Sequence, residues 1–299
     1  MSRIEVRSAE ALRDAPALLR REGAAAVVQG STVYIFGGLG AAGSATDVVA
    51  DRPAAAGDAA TRWEARVVAH LARPAHDLAA AALDGRAFIF GGGDVRSYDS
   101  VQEMDPAAGR LRTVGRLPQP LSDLGAAVVG EAAFLVGGYT GAAAADEVLE
   151  YRPSTGFRTV ARLPAGLRYA AVAALDGRLV VAGGHTSGGG WSRDLYTVDV
   201  ATGRVAKAAV FPQGFAYAAA VALDGRVIIL GGRTADGPLD RVWSWDGRRL
   251  GPAGHLPQAV SDAVAVAFGA NVYVIGGREA VAHPAQAAVL RLEMTCVQP

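Results

Sequence analysis

The chain has 299 residues, a formal net charge of zero, an isoelectric point near 7.0 and a hydrophobic content of 51%. This content suffices for a large core, whereas the neutral charge provides no field to attract nucleic acid or an anionic membrane, so we expect neither partner. Cys296 is the single cysteine, which excludes an internal disulfide. Residues 1–7 lack the apolar core of a signal peptide, and no apolar run reaches the roughly 18 residues that cross a bilayer. We therefore expect a cytoplasmic protein.

One short phrase recurs along the chain: an apolar run that stops at two glycines. The first copy is the run from Val33 to Gly38. Six copies occur, 45 to 54 residues apart, with their first glycines at Gly37, Gly91, Gly137, Gly183, Gly231 and Gly276. Self-similarity at this period is typical of an array of small structural units. Six units spread from end to end favour one closed domain over residues 1–299.

Each unit begins with a run of small residues that a tight turn joins to the glycine phrase. The small runs cover residues 23–28, 79–83, 125–129, 170–175, 218–223 and 263–268. Alanine-rich runs favour helix on propensity alone. However, Asp-Gly pairs follow at 84–85, 176–177 and 224–225, and Asp-Gly between apolar runs is a strong hairpin signal. We predict an antiparallel hairpin in each unit, with its small strand nearest a central axis, where bulky side chains would collide.

Two further strands follow each glycine pair. The third strand alternates, as in the run from Val148 to Arg152, which is the pattern of a half-buried strand. The fourth strand ends at a recurring leucine-proline, such as Leu117-Pro118. Four strands in each of six units predict an all-β fold, a six-bladed β-propeller of four-stranded antiparallel blades.

The two ends of the chain complement each other in this arrangement. The sixth unit ends after a strand at residues 288–293 and lacks a fourth strand, whereas residues 2–7 form a strand with no partner of their own. We predict that the N-terminal strand becomes the outer strand of the blade formed by residues 262–293 and so closes the ring.

The repeated unit resembles the kelch repeat. The resemblance rests on the apolar run that ends in Gly-Gly and on aromatic or acidic strand ends such as Tyr151 and Asp199. It also rests on a later apolar or tryptophan position, occupied by Trp63, Phe157 or Val205. It covers essentially the whole chain, although most copies lack the usual tryptophan. Kelch proteins often bind partners or ligands on the rim where the inner strands start, so the resemblance implies a rim site here.

Hairpin register identifies the residues of this rim. With two-residue turns, the position fifteen before the first glycine of each pair lies opposite the position two after it. The pairs are Glu22 with Leu39, His76 with Gly93, Ser122 with Tyr139, Arg168 with His185, Ala216 with Arg233, and Ser261 with Arg278. The next position along holds Gly23, Asp77, Asp123, Tyr169, Tyr217 and Asp262. Because units three apart face each other in a six-membered ring, we expect Asp123 opposite Asp262 and Asp77 opposite Tyr217.

The rim is where the six units differ from one another, as a ligand without sixfold symmetry requires. Groups on either side of a substrate can transfer protons, so we expect Asp123 and Asp262 to act as acid/base groups or to bind a polyol. Arg168 would clamp an anion. The remaining predicted catalytic residues are the orienting groups Tyr169, Tyr217 and His185, and the predicted ligand-binding residues are Glu22, His76, Asp77, Ser122, Tyr139, Arg233, Ser261 and Arg278.

A structural interpretation of the same residues stays open. At an exposed rim, aspartate and serine can cap backbone donors, arginines can pair with them, and tyrosines can be packing residues. The glycine-rich loop from His185 to Trp191 is either a lid or a solvated loop.

The sequence provides no metal or cofactor signature. The five histidines, at positions 70, 76, 185, 255 and 283, show no close paired spacing, and no phosphate loop or dinucleotide fingerprint occurs. Galactose oxidase resembles kelch proteins but needs a copper-bound tyrosine crosslinked to a cysteine, and Cys296 is badly placed for that. We therefore expect neither metal nor cofactor.

Two classes of function follow. One is a monomeric enzyme that binds a small polar molecule at the channel mouth; similarity to the kelch propeller of bacterial sialic acid mutarotase implies a cofactor-free isomerase, with lyase or cyclase chemistry as other forms. The alternative is a protein-interaction module on the same rim. Adaptors usually carry a second domain, for which the 299 residues leave no room, so we favour the enzyme.

Overall fold

Nearly every element of the protein is a β-strand. The computed structural model describes residues 3–11, 16–53, 65–279 and 289–297. Six antiparallel sheets of four strands surround an axis, and each innermost strand contacts the innermost strand of the next sheet until the last contacts the first. The predicted six-bladed β-propeller is confirmed. A single 3-10 turn, Ala17–Leu19, precedes the first blade, and none of the described residues forms a helix long and apolar enough to cross a bilayer.

The blades are numbered in chain order, and their strands are given from the axis outward. Blade 1 comprises Ala25–Gln29, Thr32–Phe36, Asp47–Asp51 and Arg66–His70; blade 2, His76–Leu83, Arg86–Gly93, Ser100–Asp105 and Arg110–Arg116; blade 3, Gly125–Val129, Ala132–Val136, Glu147–Arg152 and Gly156–Arg162; blade 4, Ala171–Leu175, Arg178–Ala182, Asp194–Asp199 and Arg204–Val210; blade 5, Ala216–Leu223, Arg226–Thr234, Arg241–Trp245 and Leu250–His255; blade 6, Val264–Phe268, Asn271–Ile275, Leu290–Val297 and Arg3–Ala11. Short strands extend the rim loops: Leu39–Gly40 with Gly43–Ser44, Leu167–Arg168 with His185–Thr186, and Gly237–Pro238 beside blade 5.

The inner hairpins have the backbone that their turn residues predict. Asp84, Asp176 and Asp224 have φ angles of 49°, 48° and 48°, and the glycine after each also has a positive φ, as type I′ turns require. All six predicted cross-strand pairs at the rim are confirmed. The small runs are strands rather than helices, and their alanines line the central channel.

The glycine pairs join each blade to the next. The N–H of the second glycine donates to a backbone carbonyl of the following blade over 2.8–2.9 Å, as Gly92 does to Leu121. A Cβ on the first glycine would lie 2.1–2.6 Å from that same carbonyl oxygen. Both glycines of every pair have a positive φ, a conformation that side chains disfavour. The glycine pair therefore repeats in every blade because the backbones of neighbouring blades approach too closely there for any side chain.

Aromatic positions of the kelch resemblance pack between strands and blades. Phe157 packs on Tyr151 in a tilted arrangement with ring centroids 4.7 Å apart, and Tyr151 contacts Phe90 of the preceding blade at a centroid distance of 5.2 Å. Val205 pairs with Val198 across the two outer strands of blade 4. Trp63 and His283 lie outside the described residues.

The N-terminal strand closes the ring, as predicted. Arg3–Ala11 pairs antiparallel with Leu290–Val297, with an irregularity between Val6 and Ser8. The pairing extends beyond residues 7 and 293, where the prediction ended both strands; Ser2 and Ala288 lie outside the described residues. Ile4, which is 1% exposed, packs into the apolar cluster between blades 5 and 6.

Replacing Ile4 with alanine should destabilise the protein markedly, because a buried side chain is lost where the ring closes. We expect the free energy of unfolding to fall by about 2–4 kcal/mol, measured by urea denaturation. Arg7→Ala, on an exposed position of the same strand, is the control and should change it by less than about 0.5 kcal/mol. Equal effects of both changes, or an unaltered thermal midpoint after removal of residues 1–8, would contradict closure through this strand.

Candidate functional site at the channel mouth

Six rim residues form a closed hydrogen-bonded ring around the axis. Each donates its backbone N–H to the carbonyl of the ring residue in the preceding blade over 2.7–3.0 Å, with Gly23 bonding to Asp262. The members are Gly23, Asp77, Asp123, Tyr169, Tyr217 and Asp262, all with φ between 53° and 62°. The order of the ring places Asp123 across from Asp262 and Asp77 across from Tyr217, as expected.

The left-handed backbone of this ring is unusual because five of its members carry side chains. Among the described residues, every other non-glycine residue with a positive φ is the aspartate of an Asp-Gly turn. Tyrosine rarely adopts this conformation. Strained backbone of this kind clusters at functional sites, so the ring is the first candidate for one.

The side chains of the ring line a cavity of about 120 Å³ at the channel mouth. Leu78, Leu124 and four alanines form the rest of its wall. Asp123 is buried, and the Asp77 side chain is 15% exposed. The structural interpretation assumed an exposed rim, which is wrong for these two carboxylates because neighbouring blades cover them.

The Asp77 side chain lies over Gly23, the one ring member that lacks a side chain. A Cβ on Gly23 would lie 2.3 Å from Asp77 Oδ1, so the carboxyl occupies the space that a side chain would fill. There it accepts a 3.1 Å hydrogen bond from the Tyr169 hydroxyl, which reaches across from blade 4. The glycine thus determines where this carboxyl lies.

Arg168 connects the phenol to a second carboxylate. Its Nη2 lies 2.5 Å from Asp123 Oδ2 and donates to the Tyr169 hydroxyl over 3.0 Å. The guanidinium also lies over the ring of Tyr139, 4.2 Å from its centroid. The arginine pairing that the structural interpretation anticipated is therefore present, and Arg168 is largely committed to Asp123 rather than free to clamp an anion.

Burial raises the pKa of all three carboxyl groups in the ring. The pKa of Asp77 is raised well above its usual range, because the charges of Asp123 and Asp262 add to burial. Burial raises the pKa of Asp123 less, since Arg168 opposes it. Burial also raises the pKa of Asp262 to about 6. Carboxyl groups that hold protons near neutral pH can serve as general acids.

The two tyrosines form one aromatic wall of the site. Tyr169 and Tyr217 stack with centroids 3.9 Å apart, and the Arg233 guanidinium lies 4.0 Å from the centroid of the Tyr217 ring. Burial raises the pKa of both phenols, so they remain hydrogen-bond donors at neutral pH. Among the described residues, Arg233 has no carboxylate within 4 Å, whereas Arg278 pairs with Glu22 at 2.6 Å. The charge of Arg233 acts on Asp262 over a longer distance and limits the rise of its pKa.

The remaining predicted residues lie around the ring rather than in the cavity wall. Ser261 donates to Asp262 Oδ2 over 2.7 Å, and His76 Nε2 lies 3.6 Å from Asp77 Oδ2. His185 contacts Trp191 with ring centroids 4.9 Å apart instead of a ring carboxylate. Its loop is held by hydrogen bonds between Thr186 and Gly190, so His185 flanks the site without entering it.

Sequence reasoning missed three residues that contact the rim from loops. Ser97 lies 3.0 Å from Ser122 through its hydroxyl, Ser44 lies 2.9 Å from His76 Nδ1, and Trp191 lies 6.2 Å from Tyr217 between ring centroids. Trp191 ends a glycine-rich loop, and this loop is the only feature of the sequence that indicates a place for Trp191 near the rim. The serines lie in loops of unequal length, so no repeat spacing identifies them.

Neither the rim nor the rest of the described residues contains three close metal-ligating side chains. Cys296 lies in the third strand of blade 6, paired with Ile4, and thus outside the inner ring.

The fold and this rim define a class: a six-bladed β-propeller with a polar cavity at one mouth of its channel. No protein-family model matches the sequence, and no curated protein gives a significant sequence match. Among solved structures, the chain is similar to that of YjhT, with a TM-score of 0.76 and 16% sequence identity over 93% of this chain and 97% of YjhT. At this identity the similarity shows the fold alone.

Gly23→Ala should destabilise the protein by more than the backbone strain alone, because the new Cβ displaces the Asp77 carboxyl. Gly30 has nearly the same φ, 58° against 61°, with no atom near its Cβ position. Gly30→Ala should therefore lower the free energy of unfolding by about 1 kcal/mol through backbone strain. Gly23→Ala should lower it by at least about 1 kcal/mol more.

Urea denaturation of both variants in wild-type and Asp77→Ala backgrounds measures this difference. The excess cost of Gly23→Ala should become smaller once Asp77 is alanine, although the contact of the new Cβ with the Asp77 backbone N at 3.1 Å remains. An excess that is undiminished there would show that the Asp77 carboxyl does not occupy this space.

Stability should fall as pH rises from about 4 to about 6. The folded-state pKa of Asp262, about 6, exceeds the unfolded value of about 3.9. Between these two pH values the folded protein binds a proton at Asp262 that the unfolded chain does not. Protonation of Asp262 therefore stabilises the folded protein at low pH, and this contribution is lost as pH rises through about 6. Asp262→Asn removes one of the titrating groups. We expect it to raise the free energy of unfolding at pH 8 by at most about 3 kcal/mol and to reduce the pH dependence.

Guanidinium unfolding at pH 4, 5, 6 and 8 measures both effects. Asp84→Asn, at an exposed turn with φ 49°, controls for placing asparagine in left-handed backbone. An Asp262→Asn protein whose stability falls with pH as steeply as wild type would contradict the expectation.

Proposed function

We propose that this propeller binds a small polar molecule at the channel mouth and moves protons on it by acid–base catalysis, without a cofactor, as an isomerase of the mutarotase type. The observation that carries the proposal is the convergence of Asp77, Asp123 and Asp262 on one cavity with raised pKa values. Carboxyl groups in different protonation states on opposite sides of one cavity are what acid–base catalysis needs.

The strain of the ring supports a use for its side chains. Left-handed backbone at a non-glycine residue costs on the order of 1–3 kcal/mol, and blade 1 shows that Gly23 fulfils the same backbone role without this cost. A ring needed only for architecture would be served by glycine. Aspartates and tyrosines at these positions are therefore best explained by what their side chains do in the cavity.

The surroundings of each carboxyl group suggest its role. Asp77, with the most strongly raised pKa, would be the general acid. Asp123, whose charge Arg168 stabilises, would be the base. Asp262, on the far side, would bind a hydroxyl or share the proton transfer.

Mutarotation fits this set of groups. A base takes the proton of the anomeric hydroxyl while an acid protonates the ring oxygen, the ring carbon–oxygen bond breaks, and the reverse steps close the ring on the other face. Arg233 over Tyr217 would bind a carboxylate of the substrate. The kelch resemblance, and with it the likeness to sialic acid mutarotase, supports an acidic sugar as the first substrate to test.

The size and lining of the cavity favour a small molecule over a protein partner. A cavity of about 120 Å³ takes only the reacting end of a monosaccharide and leaves the rest at the open mouth. A protein-binding face would be broad and apolar, whereas this one is a small cavity in which three carboxylates and two phenols converge beside Leu78, Leu124 and four alanines.

The test is the rate of anomer exchange measured by NMR, with N-acetylneuraminic acid as the acidic probe and glucose as the neutral one. We expect wild type to accelerate exchange of the acidic sugar, and Asp77→Asn to reduce kcat by about 10²-fold or more. Asp84→Asn, at the opposite end of the same hairpin, is the matched control and should retain the rate. Wild-type protein that leaves both exchange rates unchanged would contradict the proposal and return attention to a protein partner.

A further inference from the structure

A row of polar side chains leads from the mouth cavity to solvent on one side of the ring. It begins at Asp77, continues through His76 and Ser44, and ends at Asp94, which is exposed. The four residues come from two blades. His76 starts the inner strand of blade 2, Asp94 follows the second strand of that blade, and Ser44 lies in a rim loop of blade 1.

The hydrogen bonds along this row have a defined direction. Ser44 Oγ donates to Asp94 Oδ1 over 2.7 Å, because a carboxylate only accepts. Ser44 Oγ also lies 2.9 Å from His76 Nδ1. Its single proton is already donated, so it accepts from Nδ1–H. A neutral imidazole that carries its proton on Nδ1 has an unprotonated Nε2.

This unprotonated Nε2 faces the Asp77 carboxyl. It lies 3.6 Å from Asp77 Oδ2, slightly longer than the reach of about 2.6–3.2 Å for proton transfer, and such contacts commonly shorten when substrate binds. The Asp77 carboxyl therefore has a proton acceptor beside it.

We propose that His76, Ser44 and Asp94 form a proton relay between Asp77 and solvent, which rests on the proposed acid–base function of Asp77. In the outward direction the Asp77 proton passes to His76 Nε2, the Nδ1 proton passes to Ser44 Oγ, and the Ser44 proton passes to Asp94. The net change is one proton moved from Asp77 to Asp94, with His76 left as the Nε2–H tautomer. An isomerisation takes out one proton and returns one, so the inward transfer restores the first tautomer.

The charged groups around the relay come from several blades. Asp77 experiences the charges of Asp123, Asp262 and Glu22 and accepts the Tyr169 hydrogen bond. The relay thus connects to the cluster of carboxylates rather than to an isolated acid.

The neighbouring blade shows that the repeat does not impose this arrangement. Ser97, in the rim loop of blade 2, lies 3.0 Å from Ser122, which holds the position in blade 3 equivalent to His76. That pair has no titratable group between the loop serine and the ring residue Asp123. The same backbone frame therefore carries a proton path in one blade and only a hydroxyl pair in the next.

The first test is the tautomer of His76, which needs no substrate. In long-range ¹H–¹⁵N spectra of the full-length, histidine-labelled protein, with the signal assigned through its loss in His76→Gln, we expect the Nδ1–H form at neutral pH. Ser44→Ala removes the acceptor and should shift His76 to the Nε2–H form or to a mixture. Ser97→Ala is the matched control and should leave the signal unchanged. Wild-type His76 already in the Nε2–H form, or unaffected by Ser44→Ala, would overturn the relay.

The second test separates this inference from the proposed function. If wild type accelerates exchange of N-acetylneuraminic acid, Ser44→Ala should lower kcat by about tenfold or more and leave KM within about twofold, because Ser44 does not line the cavity. An unchanged kcat would overturn the relay while leaving the function standing. If wild type shows no exchange, the proposed function fails, and with it the relay's catalytic role, whatever the tautomer of His76.

Discussion

The hydrogen bond from the second glycine of each pair to the carbonyl of the next blade is the contact on which the rest of the structure depends. Each such bond contributes only about 1 kcal/mol, but six of them, such as that from Gly92 to Leu121, hold neighbouring backbones at a spacing that admits no Cβ. The accepting carbonyl belongs to the residue directly before the first rim residue of the next blade. The same bond that joins two blades therefore positions the start of the next inner strand.

The ring at the channel mouth follows from this positioning. Because the inner strands start at equal depth, the ring residue of each blade can donate its N–H to the ring residue of the blade before it, and the circle closes from Gly23 to Asp262. A left-handed backbone then directs the side chains of the other members toward the cavity. Architecture and site are thus coupled: a change in blade spacing would alter the geometry of the carboxylates as well as the stability of the ring.

The number of blades and the register of their inner hairpins could be predicted from the sequence. The period of the glycine pairs predicts the number of blades, and the two-residue turns after Leu83, Leu175 and Leu223 predict the rim register correctly to the residue. These signals are local and obey fixed backbone rules. The predicted strand bounds at the two chain ends were too short, because no turn residue marks where these strands stop.

What depends on single, unrepeated residues could not be predicted. The position of the Asp77 carboxyl over Gly23 depends on the absence of a Cβ in a different blade. The ion pair of Arg168 with Asp123 depends on which of several acidic groups lies nearest. The contact of Ser44 with His76 and Asp94 depends on the path of a loop. No spacing rule connects residues of this kind, so they become visible only once the backbone is in place.

The site therefore consists of departures from sixfold symmetry. With a side chain at position 23, the Asp77 carboxyl would be displaced and the Tyr169 hydroxyl would lose its acceptor, because the cavity has room for only one group there. The gap in blade 1 thus gives Asp77 a place that the other two ring aspartates lack, and burial together with the charges of Asp123 and Asp262 raises its pKa well above the usual range. Asp77 is also the ring carboxyl with a histidine directly before it in the chain. A symmetrical ring would give all three aspartates the same surroundings, whereas here Asp77 lies over a glycine and Asp123 pairs with Arg168.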